Sequence, residues 1–339
     1  MRCLILGYGY MGKIRYSELR CHPSVSNVSI YDPYLDAAAS GLNGQLLPAN
    51  RQIDWSRFDA AFVCTPNNVT ADYCVEALRN CGKVFCEKPP GRNWDDFCRI
   101  ADAAQEDPGR VLVFGFNHRL HPSILAACSL LNKGHLGELM YIKGSYGKSG
   151  GTKHRQSWRN DKKVSGGGIL LDQGIHMLDL FHLFAGPLTM VDAVLVDSFW
   201  DCGVEDNAFV LLKSNTGVPL FLHSSATLWK HTFRIEIGCK NGYLLINGLL
   251  SKTGSYGREQ LVIGKREFED EAMALGNPRE EIIHFDRDES WHEEINEFLN
   301  AIKEKRTPVH GTLEQARRAM RLVSDVYERR GIAKLECAV

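Results

Sequence analysis

Three side chains able to carry protons or charge, Asp172, His176 and Asp179, stand four and three residues apart in SGGGILLDQGIHMLD, residues 165–179. On an α-helix those intervals put all three on one face. Around them Leu170, Leu171, Ile175, Met177, Leu178, Leu180, Phe181, Leu183 and Phe184 are apolar nearly all round, the pattern of a buried helix. Burying a polar group without a partner costs about 1–3 kcal/mol, so this polar line should meet a cavity, a ligand or paired groups. His176 is of the right type for a general base, because an unperturbed imidazole titrates at about 6.5. The alternative is that His176 and Asp172 simply hydrogen-bond each other in a core. Gly174 argues for a close approach here, since a mid-helix glycine costs about 1 kcal/mol relative to alanine. The glycines at 166–168 read as room for substrate and loop.

A second constellation opens the chain. The apolar run Arg2 to Leu6 leads into Gly7-Tyr8-Gly9-Tyr10-Met11-Gly12 and then a helical pattern from Lys13. In a strand–turn–helix unit the first glycine allows the tight turn, the second lets backbone amides approach a pyrophosphate, and the third lets the helix pack on the strand. Val28 to Tyr31 reads as a second strand and ends at Asp32, 20 residues beyond Gly12. That is the spacing of an acid that binds the adenosine ribose. A carboxylate there repels a 2'-phosphate, and Pro33 and Tyr34 supply no cation. NAD is therefore favoured over NADP, with an Asp-Pro turn as the alternative role of Asp32.

The elements that must position these groups alternate at first between strand and helix. Phe58 to Cys64 forms a buried strand ending at Thr65-Pro66-Asn67, Thr70 to Asn80 a helix, and Lys83 to Cys86 a strand ending at Glu87-Lys88-Pro89-Pro90. In a doubly wound sheet the strands' carboxyl ends hold the ligand, so Thr65, Pro66, Asn67, Glu87 and Lys88 join the glycine loop and Asp32 as cofactor-binding candidates. A surface lysine at a strand end is the plainer reading of Lys88. Val111 to Phe116 gives a fifth strand, and a sixth is expected after residue 120. We place a Rossmann domain at 1–120. From 121 to 339 the pattern turns to strands in succession, predicting an α+β domain with a large open, mainly antiparallel sheet and closing helices at Ser290–Lys303 and Leu313–Arg329.

Composition narrows the class. The 339 residues hold 40 Lys plus Arg against 41 Asp plus Glu, so no bulk electrostatic pull toward nucleic acid or membrane exists. No stretch approaches the about 18 apolar residues of a membrane helix, and glycine interrupts the first apolar run too early for a signal peptide, so a cytoplasmic protein is expected. The 11 cysteines include no C-x-x-C pair and read as reduced thiols, and no metal site is expected. Between 148 and 163, Lys148, Lys153, Arg155, Arg159, Lys162 and Lys163 face one acid, Asp161. Such a loop could hold an anionic substrate such as the diphosphate of a nucleotide sugar, or be a solvated surface.

Taken together, GYGYMG, CEKPP at 86–90, GFNHRLHP at 115–122, WRND and SGGG between 158 and 168, DQGIHMLD at 172–179, and Ser290-Trp291 with Glu294 and Phe298 make the chain resemble one family. It is the glucose-fructose oxidoreductase, inositol dehydrogenase and MocA-type group of sugar oxidoreductases. The resemblance implies an NAD(P)-dependent dehydrogenase or reductase acting on a sugar, polyol or nucleotide sugar, assembled as a homodimer or homotetramer through the open sheet. Lys88 matches the lysine of the family's Glu-Lys-Pro signature, and Asp172 and His176 match its D-x-G-x-H segment. Thr70 departs from the histidine often found there. On this reading His176 is the base, Lys88 arrives from the first domain to hold the reacting oxygen, and Asp172 binds a neighbouring hydroxyl or orients Lys88. Asp179 supports them by pairing with a basic residue. Trp158 and Arg159, and less strongly Arg119, are the further substrate-binding candidates. A non-catalytic sensor of NAD or sugar on the same fold is the competing class.

Overall fold

Apolar runs of four or five residues bounded by glycine, proline or polar turns become the strands of a parallel sheet. The computed structural model describes residues 1–35, 42, 45–48, 52–251 and 253–334. Its first elements are β1 (Arg2–Leu6), α1 (Tyr10–Cys21), β2 (Asn27–Tyr31), β3 (Ala60–Val63), α2 (Asn67–Asn80), β4 (Lys83–Cys86), α3 (Trp94–Gln105) and β5 (Val111–Phe114). The five strands are ordered β2-β1-β3-β4-β5, each pair parallel. The order reverses between β1 and β3, which makes their carboxyl ends the switch point where such sheets bind ligands. The expected sixth strand does not join this sheet among the described residues, because the next strand in the chain belongs to another.

Two compact units emerge from the contacts: Met1–Asn117 with Lys163–Gly166 and Trp291–Met320, and His118–Lys162 with Gly167–Ser290 and Arg321 onward. The sequence assigned everything after 120 to the second domain, yet the helix beginning at Ser290 packs with the first. Its Ile295, Phe298 and Leu299 share a buried core with Cys3, Ile5 and Phe62. Phe298 meets Phe62 and Phe85 edge-on at 5.3 and 5.8 Å between centroids. The amphipathic stripe of that helix was legible, but its apolar face could have covered either sheet.

The second unit carries α4 (Pro122–Asn132), β6 (Leu139–Ser149), a π-helical turn (Leu170–Gly174), α5 (Ile175–Ala185), β7 (Leu188–Asp197), β8 (Asn207–Ser214), β9 (Pro219–Ser225), β10 (Thr227–Cys239), β11 (Gly242–Asn247), β12 (Glu259–Lys265) and β13 (Glu280–Phe285). Then come α6 (Ser290–Glu304), the helix just placed in the first unit, α7 (Leu313–Arg329) and β14 (Ile332–Lys334). Nine strands are ordered β13-β12-β11-β10-β6-β9-β8-β7-β14. All neighbours are antiparallel except β6–β9 and β7–β14. On one face α5 lies close because Gly144 of β6 has no side chain, and a Cβ there would stand 2.5 Å from Met177 and 2.8 Å from Phe181. The opposite face leaves Val194 of β7, Leu211 of β8 and Phe221 of β9 39–54% exposed, with Leu211 directly opposite Phe221.

Truncating Phe298 to alanine should open a cavity between α6 and the parallel sheet and cost about 3–5 kcal/mol. A denaturant titration that shows no drop in the unfolding midpoint of F298A would contradict this placement of α6.

Candidate active site

The glycine loop performs three separate jobs at the switch point. Gly7 has φ +89° and its amide donates to the Tyr31 carbonyl at 2.9 Å, closing the turn after β1. Only glycine takes that conformation without strain. A Cβ on Gly12 would lie 2.1 Å from the Gly7 carbonyl oxygen, so Gly12 allows α1 to start directly behind the turn. Gly9 is different: a Cβ there meets nothing within 4 Å. No side chain caps the start of α1 and no acid lies in its first turn, leaving its first amides and the positive end of the helix for an anion. This cradle fits a pyrophosphate.

Asp32 is held in place by the loop it serves. Its Oδ2 accepts the Tyr8 amide at 2.8 Å and its Oδ1 the Tyr34 amide at 3.0 Å. The Tyr34 bond is the local Asp turn that was the alternative role of Asp32, and the Tyr8 bond ties the acid to the phosphate loop. A carboxylate accepts about four hydrogen bonds, so capacity remains for ribose hydroxyls. Tyr10 is exposed and Met11 packs against the core beside it.

Three other cofactor candidates have side chains with work inside the protein. Asn67 is buried and its Nδ2 donates to the Ser165 carbonyl at 2.7 Å. Thr65 shares a hydroxyl contact of 3.1 Å with Thr70, whose own hydroxyl donates to the Pro66 carbonyl. Glu87 accepts from Arg15 Nε at 2.7 Å, and Arg15 Nη2 reaches Glu294 at 2.6 Å, with the guanidinium stacked between Phe85 and Trp291. The Glu87 carboxylate is therefore a structural partner of Arg15, and what it contributes is the fixed backbone ahead of half-buried Lys88. The Lys88–Pro89 bond is cis. Arg15 is completely buried, and its two acid partners lie far away in the chain.

In the second unit the polar line on SGGGILLDQGIHMLD is redistributed. Residues 170–174 wind as a π-helix before α5 begins, so Asp172 and His176 do not sit on one regular α-helical face. Asp172 is half-buried, with Arg159 Nε 3.4 Å away. His176 is buried and stacks on His118, centroids 3.8 Å apart and planes 17° off parallel. Asp179 takes a two-pronged pair from Arg119, Nε to Oδ2 at 2.6 Å and Nη2 to Oδ1 at 2.7 Å. Burial pushes the Asp179 carboxyl up while Arg119 pulls it down, and burial prevails. The expected basic partner of Asp179 is therefore present, and it is Arg119. Arg119, a substrate candidate from sequence, is thus buried and engages Asp179 through Nε and Nη2.

The glycines read as room for substrate are filled by protein. A Cβ on Gly166 would strike the Arg92 carbonyl at 2.2 Å, on Gly167 the Tyr327 hydroxyl at 2.2 Å, and on Gly168 the Glu205 carbonyl at 2.1 Å. Buried Glu205 accepts the Gly168 and Leu170 amides at 3.1 and 3.0 Å and the Tyr327 hydroxyl at 2.7 Å, fixing the head of the π-turn. Burial pushes its carboxyl up, and these three donors hold it back. At Gly174 the close approach is made by the Leu170 side chain, 2.9 Å from where a Cβ would stand, and by Ser224 of β9 at 3.3 Å. Trp158 and Arg159 stay together on a short turn, the guanidinium 4.6 Å from the indole, with Arg159 exposed.

The sequence missed His118 and His121 as parts of this arrangement. His121 Nδ1 lies 2.8 Å from Glu259, which also accepts the Ser123 and Leu250 amides. Two histidines and an arginine within four residues, NHRLH, were the available signal. Each meets a different partner.

A phosphate cradle on a parallel sheet, followed by a unit with a wide mixed sheet and a buried imidazole, defines the class of Rossmann-fold oxidoreductases. Residues 1–115 match the family described as "Oxidoreductase family, NAD-binding Rossmann fold", and residues 124–245 match the GFO/IDH/MocA C-terminal domain. The chain belongs to the GFO/IDH/MocA family, and its cofactor is NAD(P). Levoglucosan dehydrogenase of Pseudarthrobacter phenanthrenivorans is 29% identical over 206 residues, 56% of this chain and 53% of that protein. Inositol 2-dehydrogenase of Rhizobium meliloti is 26% identical over 249 residues, 70% and 73% of the two chains. The chain thus matches about half the length of the first relative and nearly three quarters of the second. A 3-ketoreductase from Actinomadura kijaniata, solved with NADP and TDP-benzene, superposes with a TM-score of 0.83 over 99% of both chains at 22% identity. A levoglucosan dehydrogenase complex with NADH and levoglucosan gives 0.81 over 97% of this chain and 96% of that one, at 19%. These two likenesses establish the fold. Among the described residues no helix is long and apolar enough to cross a membrane.

Because Gly9 borders open space, Gly9→Ala should leave thermal stability unchanged while its methyl group intrudes on the phosphate cradle. NAD affinity, read by calorimetric titration, should fall at least about tenfold, equivalent to 1.4 kcal/mol. Unaltered affinity would move the pyrophosphate away from this loop.

Proposed function

We propose that the protein transfers a hydride between NAD and a secondary alcohol or ketone of a sugar, polyol or nucleotide sugar. The observation that carries this reading is the buried imidazole of His176 at the junction of the π-turn and α5. It lies one turn beyond half-buried Asp172, in a chain whose glycine loop can cradle a dinucleotide pyrophosphate. When bound, the nicotinamide supplies the acceptor or donor of the hydride.

The chain's own residues then have to manage a proton and a charge. His176 takes the hydroxyl proton in the oxidative direction and returns it in reduction, a transfer that contributes about 10²- to 10⁴-fold to rate. Lys88 supplies the cation that stabilises negative charge developing on the substrate oxygen. Asp172 binds a neighbouring hydroxyl, with Arg159 Nε 3.4 Å from its carboxylate. Asp32 selects NAD, because its ordered carboxylate would stand against a 2'-phosphate. Trp158 and exposed Arg159 belong to the substrate side, where a sugar ring can lie on the indole and a phosphate can engage the guanidinium. The apolar strip Val194, Leu211 and Phe221 supports assembly of a homodimer or homotetramer through the open sheet face.

His176→Ala should cut turnover about 10²- to 10⁴-fold with NAD affinity unchanged. Absorbance at the reduced nicotinamide band, with the protein and NAD offered sugars, polyols and nucleotide sugars in turn, reads this directly. Silence toward every substrate despite NAD binding would favour a sensor instead. Sedimentation of the wild type should give a dimer or tetramer, and Leu211→Glu should shift it toward monomer. A monomeric wild type would remove the assembly.

A further inference from the structure

We propose that His118 is a positioning residue for His176, and that the two stacked imidazoles hold a single proton between them. This rests on His176 being the base. It adds a second histidine to that base and fixes how the pair meets protons.

The geometry is specific. The rings are 3.8 Å apart at 17°, and both residues are at least nine-tenths buried. At that separation a charge on one ring strongly disfavours a charge on the other, so protons are taken up by the pair in two separated steps. Among the described residues, the acids nearest the pair each engage another group. Asp179, on the next turn of α5, is taken by Arg119. Glu259 of β12 is taken by His121, whose ring lies 5.5 Å from that of His118. Asp172, on the turn before His176, has Arg159 beside it. From β6 comes Tyr146, whose hydroxyl is 3.2 Å from His118 Nε2. Burial first, then Tyr256 and Asp172, push the ionisation of Tyr146 well above its usual range, so the phenol keeps its proton.

Two consequences follow for the base. Tyr146 and Phe233 border the His118 ring, the latter at 5.8 Å, and the clamped His118 ring in turn fixes the plane of His176. The ring nitrogens of His176 then point along that plane. When His176 receives a proton, neutral His118 presents its π face to the new imidazolium, whereas a charged His118 would resist the transfer.

The test is a titration of the imidazole Cε1–H resonances by NMR on the full chain without substrate, from pH 5 to 9, for wild type and His118→Phe. Phenylalanine keeps a stacked ring and removes the second titrating group. In the wild type both histidines should shift through shared steps separated by at least about one pH unit. In H118F, His176 should titrate in one step, and the acid limb of kcat/KM should move with it. Identical His176 titrations in the two proteins would overturn the proposal. So would a loss of turnover in H118F with an unmoved pH profile, which is the result of a merely structural role. If H118F does not fold, His118→Gln, which preserves a polar contact for Tyr146, gives the same comparison. The resonances are read independently of catalysis. A fully active His176→Ala variant would instead overturn the base assignment, and the positioning role with it, whatever the resonances show.

Discussion

The ion pair between Arg119 and Asp179 fixes the register on which the candidate site depends. Two charged groups taken from water repay the cost only with near-ideal geometry, and here both prongs of the guanidinium meet both carboxylate oxygens. A buried pair of this kind is weak evidence of added stability but a strong determinant of which arrangement survives, since a slip would strand either charge. Arg119 follows His118 directly in the chain, and Asp179 lies three residues after His176 on α5. One fixed pair therefore sets the other. The imidazoles face each other because the ions beside them have only one way to meet.

The same logic recurs at lower intensity around it. Glu205 holds the amides at the head of the π-turn, and Gly144 lets α5 settle against β6. In the first unit Arg15 draws Glu87 and Glu294 to one point, linking α1, the end of β4 and α6. Each device is a buried polar group whose partner comes from another element. Such pairings make the backbone around Lys88 and His176 the consequence of side chains on other elements.

Much of this was legible in the sequence because it depends on local order. Strand, glycine turn and helix follow one another from Arg2 to Leu19, and apolar alternation announces most strands of the second sheet. What depended on distant pairing was not legible. The helix starting at Ser290 displayed its apolar stripe but not which sheet it would cover. β13 escaped notice because EEIIHF is an exposed edge strand with little apolar surface to bury. The π-turn left no periodic signature, so Asp172 was placed on a regular helical face. Gly174 did signal a close approach, and the groups that approach are the side chains of Leu170 and Ser224. Nothing local reveals that Arg119 will be buried against an acid sixty positions away.

Asp32, the proposed recognition residue, is also part of the scaffold. The carboxylate that would discriminate between the two dinucleotides also receives the amide of Tyr8, between Gly7 and Gly9. Exchanging it for a small neutral residue to admit a 2'-phosphate would therefore also loosen the loop that grips the rest of the cofactor. If Asp32 sets the coenzyme as proposed, that preference and the shape of the phosphate turn depend on one carboxylate, and a change of coenzyme would need a second substitution to restore the anchor to Tyr8.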